Sequence, residues 1–89
     1  GALNTGTSIS TSATQIAVNS DFVYIKNTGS TDVLVSLDEA GLAGGGSSNG
    51  NYLILLSDNE AFASEISDSA DVYVKTASGT STIQHYKAT

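Results

Sequence analysis

Short apolar stretches alternate with polar residues along most of the chain, with the period of two that is typical of β-strands. The stretches are rich in β-branched side chains, and Gly, Ser, Asn or Asp interrupts them before a third helical turn could form. The pattern predicts seven strands, at residues 14–19, 22–27, 33–38, 52–57, 61–66, 72–77 and 81–87. This spacing predicts an all-β fold, an antiparallel β-sandwich of Greek-key or jelly-roll type, with a partly open barrel as the alternative.

One short sequence occurs twice. Val-Tyr-Ile-Lys at residues 23–26 reappears as Val-Tyr-Val-Lys at residues 72–75, and a glycine follows each copy, Gly29 or Gly79. A glycine between two apolar runs is typical of a hairpin with a bulge, because glycine can take a positive φ. We therefore expect two similar hairpins at equivalent places in the sandwich. In both copies the apolar residues should face the core, and the tyrosine and lysine should face solvent.

The predicted core consists of apolar residues on the inward faces of the strands. It comprises Ile16, Val18, Val23, Ile25, Val33, Val35, Leu37, Ile54, Leu56, Phe62, Ile66, Val72, Val74 and Ile83. Residues 52–56 are apolar on both faces of their strand, so each face needs a cover, and another subunit could supply one. Association could also add stability to a core of this size.

Several segments are candidates for contacts with partners. Residues 1–12 form a polar N-terminal arm that orders only against a partner or the flank of its own domain, which comprises residues 13–89. Residues 39–51 form a glycine-rich connection that either stays loose or orders against a partner. Outward tyrosines and lysines would add contact area and positive charge. The candidate interface residues are Leu3, Ile9, Tyr24, Lys26, Leu42, Gly44, Gly45, Gly46, Asn49, Tyr73 and Lys75.

Composition then limits the function. Nine acidic residues against three lysines give a net charge of −6, which opposes binding to nucleic acid. The chain has no cysteine and one histidine, which excludes disulfides, thiolate metal sites and multi-histidine metal sites. No apolar run is long enough to cross a bilayer, so we expect no membrane segment. These features favour binding or building over catalysis, with no cofactor and no metal.

The remaining candidates for chemistry have simpler interpretations. Asp58 and Glu60 could offer oxygens to Ca²⁺, and so could Asp68 with Asp71. Neither pair follows the EF-hand spacing, and turns use such residues in any case. His85 has no obvious acidic or nucleophilic neighbour in sequence, so a surface or strand-edge histidine is the better interpretation.

Three stretches resemble small virion proteins of tailed bacteriophages. They lie at residues 23–30, 52–62 and 72–80, within a similarity that covers residues 22–89. The chain looks most like capsid decoration proteins, which are also called cement proteins. Related phage modules often carry Pro-Gly in the turn after the central apolar strand, where this chain has Asp58 and Asn59.

The resemblance implies a β-sandwich, often trimeric, that sits on an icosahedral shell and bridges neighbouring capsid subunits. We therefore expect a non-enzymatic virion protein on the capsid surface, with the major capsid protein as partner and a homo-oligomer, preferably a trimer, as its state. The alternative is a carbohydrate- or receptor-binding module of a phage tail or surface assembly. In that case Tyr24, Tyr73 and Tyr86 would form a platform that stacks on sugars. An enzyme that gathers His85 and carboxylates is the third possibility.

Overall fold

A computed structural model describes residues 3–37 and 54–88, without the side chains of residues 18–20 and 67–70. This part of the chain consists of strands and short connections, which confirms the all-β prediction. The strands are β1 (Asn4–Ile9), β2 (Thr14–Asn27), β3 (Val33–Ser36), β4 (Ile54–Leu56), β5 (Ala61–Thr76) and β6 (Ser81–Ala88). Over the same residues we find no helix with the length and apolarity that crossing a bilayer requires.

The strands form two antiparallel sheets of four strands, because β2 and β5 are long enough to run through both. Sheet I has the order β1, β6, second half of β2, first half of β5. Sheet II has the order first half of β2, second half of β5, β3, β4. The two sheets pack against each other as a β-sandwich, so the predicted architecture is confirmed.

The passage of β2 and β5 from one sheet to the other differs from the sequence prediction. The polar residues in the middle of each strand predict two separate strands, yet each strand is continuous. Between Gln15 and Phe22 the pairing of β2 with β5 shifts register three times. Irregular pairing of this kind bends a strand, so the polar residues occupy a bend between the sheets rather than a loop.

The core lies between the sheets. The predicted residues that are buried in it are Ile16, Val23, Ile25, Val33, Val35, Leu56, Val72, Val74 and Ile83, and the half-buried Ile54, Phe62 and Ile66 pack against them. The prediction for Leu37 is wrong, since this residue follows the end of β3 and is 42% exposed. Ile9 and Ala17 belong to the core as well. Ala17 is buried beside Ile16 because a register shift follows Gln15.

Neither glycine turn closes a hairpin, which corrects the sequence prediction. Although β3 follows β2 in the chain, β2 pairs with β5 and β6, and β3 pairs with β4 and β5. In the same way β6 follows β5 but pairs with β1 and β2. Both short connections therefore cross from one sheet to the other.

Asn27 holds the first of these crossings in place. Its side chain is fully buried at the end of β2. The Nδ2 group donates to the carbonyl oxygens of Thr31 and Leu56, at 2.8 and 2.9 Å. The Oδ1 atom accepts from the Ser81 hydroxyl at 2.7 Å and from the Gly29 amide at 3.1 Å. One amide side chain thus ties the crossing to β4 in sheet II and to β6 in sheet I.

The two turn glycines are required for different reasons. Gly79 takes the predicted positive φ, at 70°, whereas Gly29 is not among the glycines with positive φ. A Cβ atom at Gly29 would lie 2.9 Å from the Thr82 amide nitrogen and would clash with the Ser81 hydroxyl. Close approach to the start of β6, rather than backbone conformation, therefore explains glycine at position 29.

Candidate interaction surface

The two Tyr-Lys pairs lie on opposite sides of the sandwich. In residues 23–26 the apolar side chains are buried in the core, so the tyrosine and lysine lie on the outer face of sheet I. In residues 72–75 the same alternation places the tyrosine and lysine on the outer face of sheet II. The inward positions are confirmed in both copies. Because the sheets face each other across the core, the two pairs cannot form one docking surface.

The outer face of sheet I carries a regular block of side chains from three neighbouring strands. The strand registers place them in three rows across β5, β2 and β6, which are Ala61–Lys26–Gln84, Ala63–Tyr24–Tyr86 and Glu65–Phe22–Ala88. We call this block the sheet I face. The rings of Phe22 and Tyr86 meet edge to face, with centroids 6.3 Å apart and an angle of 65° between their planes.

The sheet I face is accessible and electrically neutral. Its three aromatic side chains and Lys26 are each partly exposed. On strand β5 the directly paired neighbours of Lys26 and Tyr24 are Ala61 and Ala63, whose side chains are small. Lys26 and Glu65 balance each other within the block, although the chain as a whole carries a charge of −6. The block as a whole therefore carries no net charge.

The outer face of sheet II differs because much of it is buried. Lys75 and its cross-strand partner Leu34 alternate with core residues along their strands, so both lie on the outer face. Even so, Lys75 is only 6% exposed and Leu34 is completely buried. The prediction that Lys75 faces solvent is therefore wrong. β5 is an inner strand of sheet II, so the aliphatic stem of Lys75 lies beside an apolar neighbour. Near it the Gln15 side-chain amide donates to the Tyr73 hydroxyl at 3.2 Å.

The candidate residues of the N-terminal arm have separate environments. Ile9 is fully buried in the domain's own core, which corrects its assignment to an interface with a partner. It reaches the core because β1 pairs with β6, so this part of the arm orders against the flank of its own domain. Leu3 is 51% exposed. The candidates Leu42, 44–46 and Asn49 lie outside the described residues.

The three tyrosines of the sugar-binding alternative do not share a face. Tyr24 and Tyr86 are directly paired across β2 and β6. Tyr73 lies on the outer face of sheet II, on the opposite side of the sandwich. The aromatic neighbour that Tyr86 does have is Phe22, which the sequence analysis did not select. Its position two residues before Tyr24 in one strand was the signal that could have identified it.

His85 lies within sheet I on an inner strand, where it is directly paired with the core residue Ile25. It is therefore not at the edge of the sheet. The Thr7 hydroxyl lies 3.3 Å from its Nε2 atom. Burial, and secondarily the charge of Lys87, lowers the pKa of His85 below the ordinary value of 6.5, so the imidazole is neutral at pH 7.

Of the acidic pair at the β4–β5 turn, Glu60 has a hydrogen bond within the turn. The Glu60 carboxylate accepts a hydrogen bond from the Ser57 amide at 2.7 Å, and Asn59 takes a positive φ of 65°. Asn tolerates this conformation better than most residues. The interpretation of Asp58 and Glu60 as turn residues is consistent with this geometry. Among the residues whose side chains are described, no group of three His, Cys, Asp or Glu could hold a metal ion.

Three comparisons with known proteins bear on the identity of the chain. No protein family, no curated protein and no solved structure matches it significantly. The case for a function therefore rests on the sequence and on the faces described above.

Proposed function

We propose that the chain is a non-enzymatic structural protein of a bacteriophage virion, where it decorates and stabilises the outer capsid surface by bridging capsid subunits. Its partner is the major capsid protein, and it acts as a homo-oligomer. The resemblance of residues 22–89 to capsid decoration proteins suggests this function. The sheet I face is the structural observation that supports it best.

The sheet I face has the character of a protein–protein contact. It combines three aromatic side chains, Phe22, Tyr24 and Tyr86, with one lysine, Lys26. Aromatic residues are enriched in such contacts, and charged residues are depleted from their centres. The block is carried by three hydrogen-bonded strands, so binding costs little backbone order. A preformed face of this kind suits attachment to a large, rigid surface.

Binding of this kind stabilises a shell by mass action. A protein that binds the assembled, expanded shell but not its free subunits shifts the equilibrium towards the shell. At a free concentration one hundred times the dissociation constant, each occupied site contributes about 2.7 kcal/mol.

The test is co-sedimentation with emptied, expanded shells of the phage whose genome encodes the chain. We expect the purified protein to sediment with these shells in a saturable manner and to raise the temperature at which they dissociate. Failure to co-sediment at any practical concentration would refute the capsid function. Binding to a glycan array instead would favour the sugar-binding alternative.

Matched variants test whether the sheet I face makes the contact. Tyr24→Ala combined with Lys26→Glu should weaken binding at least tenfold, because it removes a central ring and reverses the only positive charge of the block. Gln15→Ala alters the outer face of sheet II and should leave binding unchanged. Equal binding of both variants would show that a different face contacts the shell.

A further inference from the structure

The two sheets have the same construction. The six strands divide into a first unit, β1-β2-β3, and a second unit, β4-β5-β6. The strands of the two units occupy equivalent places in the two sheets. By position in its unit, β1 corresponds to β4, β2 to β5 and β3 to β6. If each strand of sheet I is replaced by its counterpart, the order β1, β6, β2, β5 becomes β4, β3, β5, β2. This is the order of sheet II. The sandwich therefore has an internal two-fold arrangement.

The pairing partners of the two inner strands agree with this equivalence, although the register of β2 with β5 is regular only in sheet I. The repeated sequence lies near the end of the second strand of each unit, at residues 23–26 in β2 and residues 72–75 in β5, and both are inner strands of their sheets. Ile25 is paired with a residue of β6 on one side and of β5 on the other. Its counterpart Val74 is paired with a residue of β3 on one side and of β2 on the other.

The contacts at the two strand ends match as well. The Asn27 amide donates to the carbonyl oxygen of Glu60, which precedes β5, at 2.9 Å. The Thr76 amide donates at the same distance to the carbonyl oxygen of Ser10, which lies between β1 and β2. Both Asn27 and Thr76 are completely buried, and each side chain bonds to the turn that follows it.

No strand pair in residues 3–37 and 54–88 lies within one unit. The pairs are β1 with β6, β2 with β5, β2 with β6, β3 with β4, and β3 with β5, and each joins the first unit to the second. A single unit consequently has no sheet of its own. Every one of these pairs could equally join units from two chains, because the contacts themselves would be unchanged.

We infer that the domain is a fused dimer of two related three-strand units, and that the partner that fits each unit is the complementary unit of a second copy of this chain. The connection between β3 and β4 decides which copy supplies it. Val35 and Ile54 are directly paired, so that connection has only to reverse the chain direction. Two units joined in one chain meet at an effective concentration in the millimolar range, which favours pairing within one chain in dilute solution. Pairing between units of two different chains therefore needs a local protein concentration in the millimolar range, or a β3–β4 connection that cannot reverse the chain direction. This inference is independent of the proposed function.

The first test deletes residues 38–53 and joins Leu37 directly to Ile54. Only Ser36 and Leu37 then separate the paired residues Val35 and Ile54. A two-residue turn requires positive φ values that these side chains disfavour. We expect a dimer with exchanged units, whose mass by light scattering is twice that of the control and whose circular dichroism is that of the native sheets.

The control replaces residues 38–53 with Asn-Gly, which restores a four-residue turn between the paired residues. It should keep the native spectrum and the mass of the unaltered protein. A directly joined variant with a native spectrum and the control's mass would overturn the inference. If that variant does not fold, refolding the unaltered chain at about millimolar concentration decides the question. A species that has twice the mass of the same chain refolded in dilute solution, and that survives dilution, supports exchange, and its absence refutes it.

A second test examines the units without shortening the chain. A protease site inserted between Gly45 and Gly46 allows the folded protein to be cut into residues 1–45 and 46–89. We expect both pieces to stay in one complex, to lose all strand signal when separated, and to regain it when mixed in equal amounts. A separated piece that keeps its strand signal, or pieces that fail to recombine, would contradict the interdependence of the units.

Discussion

Replacing Asn27 by alanine tests whether the amide at the first sheet crossing stabilises the whole sandwich. The substitution removes two donors and two acceptor sites from a fully buried position. It leaves the carbonyl oxygens of Thr31 and Leu56, the Ser81 hydroxyl and the Gly29 amide without this partner.

The expected loss follows from the number of bonds. Each buried hydrogen bond contributes about 0.5–1.5 kcal/mol net, so the four bonds of Asn27 together account for about 2–6 kcal/mol. An 89-residue domain has a total stability of about 4–13 kcal/mol at the usual value per residue. Asn27→Ala therefore removes a large fraction of the free energy of unfolding.

Urea unfolding followed by circular dichroism measures this loss. We expect a lower midpoint with an unchanged slope, which reports a change in stability rather than in exposed area. Asn27→Asp keeps the acceptor sites but turns a carboxylate towards two carbonyl oxygens, so it should also destabilise strongly. Ser30→Ala, at an exposed position in the same connection, should change stability by less than about 0.5 kcal/mol. A loss below about 1 kcal/mol for Asn27→Ala would refute the reasoning.

Two further predictions concern the glycines of the two crossings and the pH dependence of stability. Gly29→Ala should lower the free energy of unfolding in urea by about 1–3 kcal/mol, because its Cβ clashes with the Ser81 hydroxyl. Gly79→Ala should lower it by about 1 kcal/mol, because φ is 70° there but the space is open. Equal losses of several kcal/mol at both positions would contradict this distinction. Since burial and Lys87 lower the pKa of His85 in the folded state, the unfolded chain binds the proton more readily, and stability should fall as the pH drops below about 6.5. An NMR titration should show the lowered midpoint, and His85→Gln should remove this part of the pH dependence.

The local pattern of the sequence predicted strand residues within β2 to β6, but neither β1 nor the continuity of β2 and β5. It also predicted which side of a strand is apolar. The alternation in residues 23–26 and 72–75 placed the apolar side chains in the core, and the structure confirms this. Glycine at position 79 likewise predicted the positive φ that is found there. These features depend on a few neighbouring residues, so a single sequence contains the information for them.

Only the tertiary structure decided which strands pair and what lies over each face. A tight turn after β2 fits a hairpin and a crossing equally well, and the choice depends on β5 and β6, which are distant in sequence. The same long-range pairing buries Ile9 and Lys75 and separates the two Tyr-Lys pairs. Alternation fixes the side of a strand on which a residue lies, but its exposure depends on the neighbours that pairing supplies.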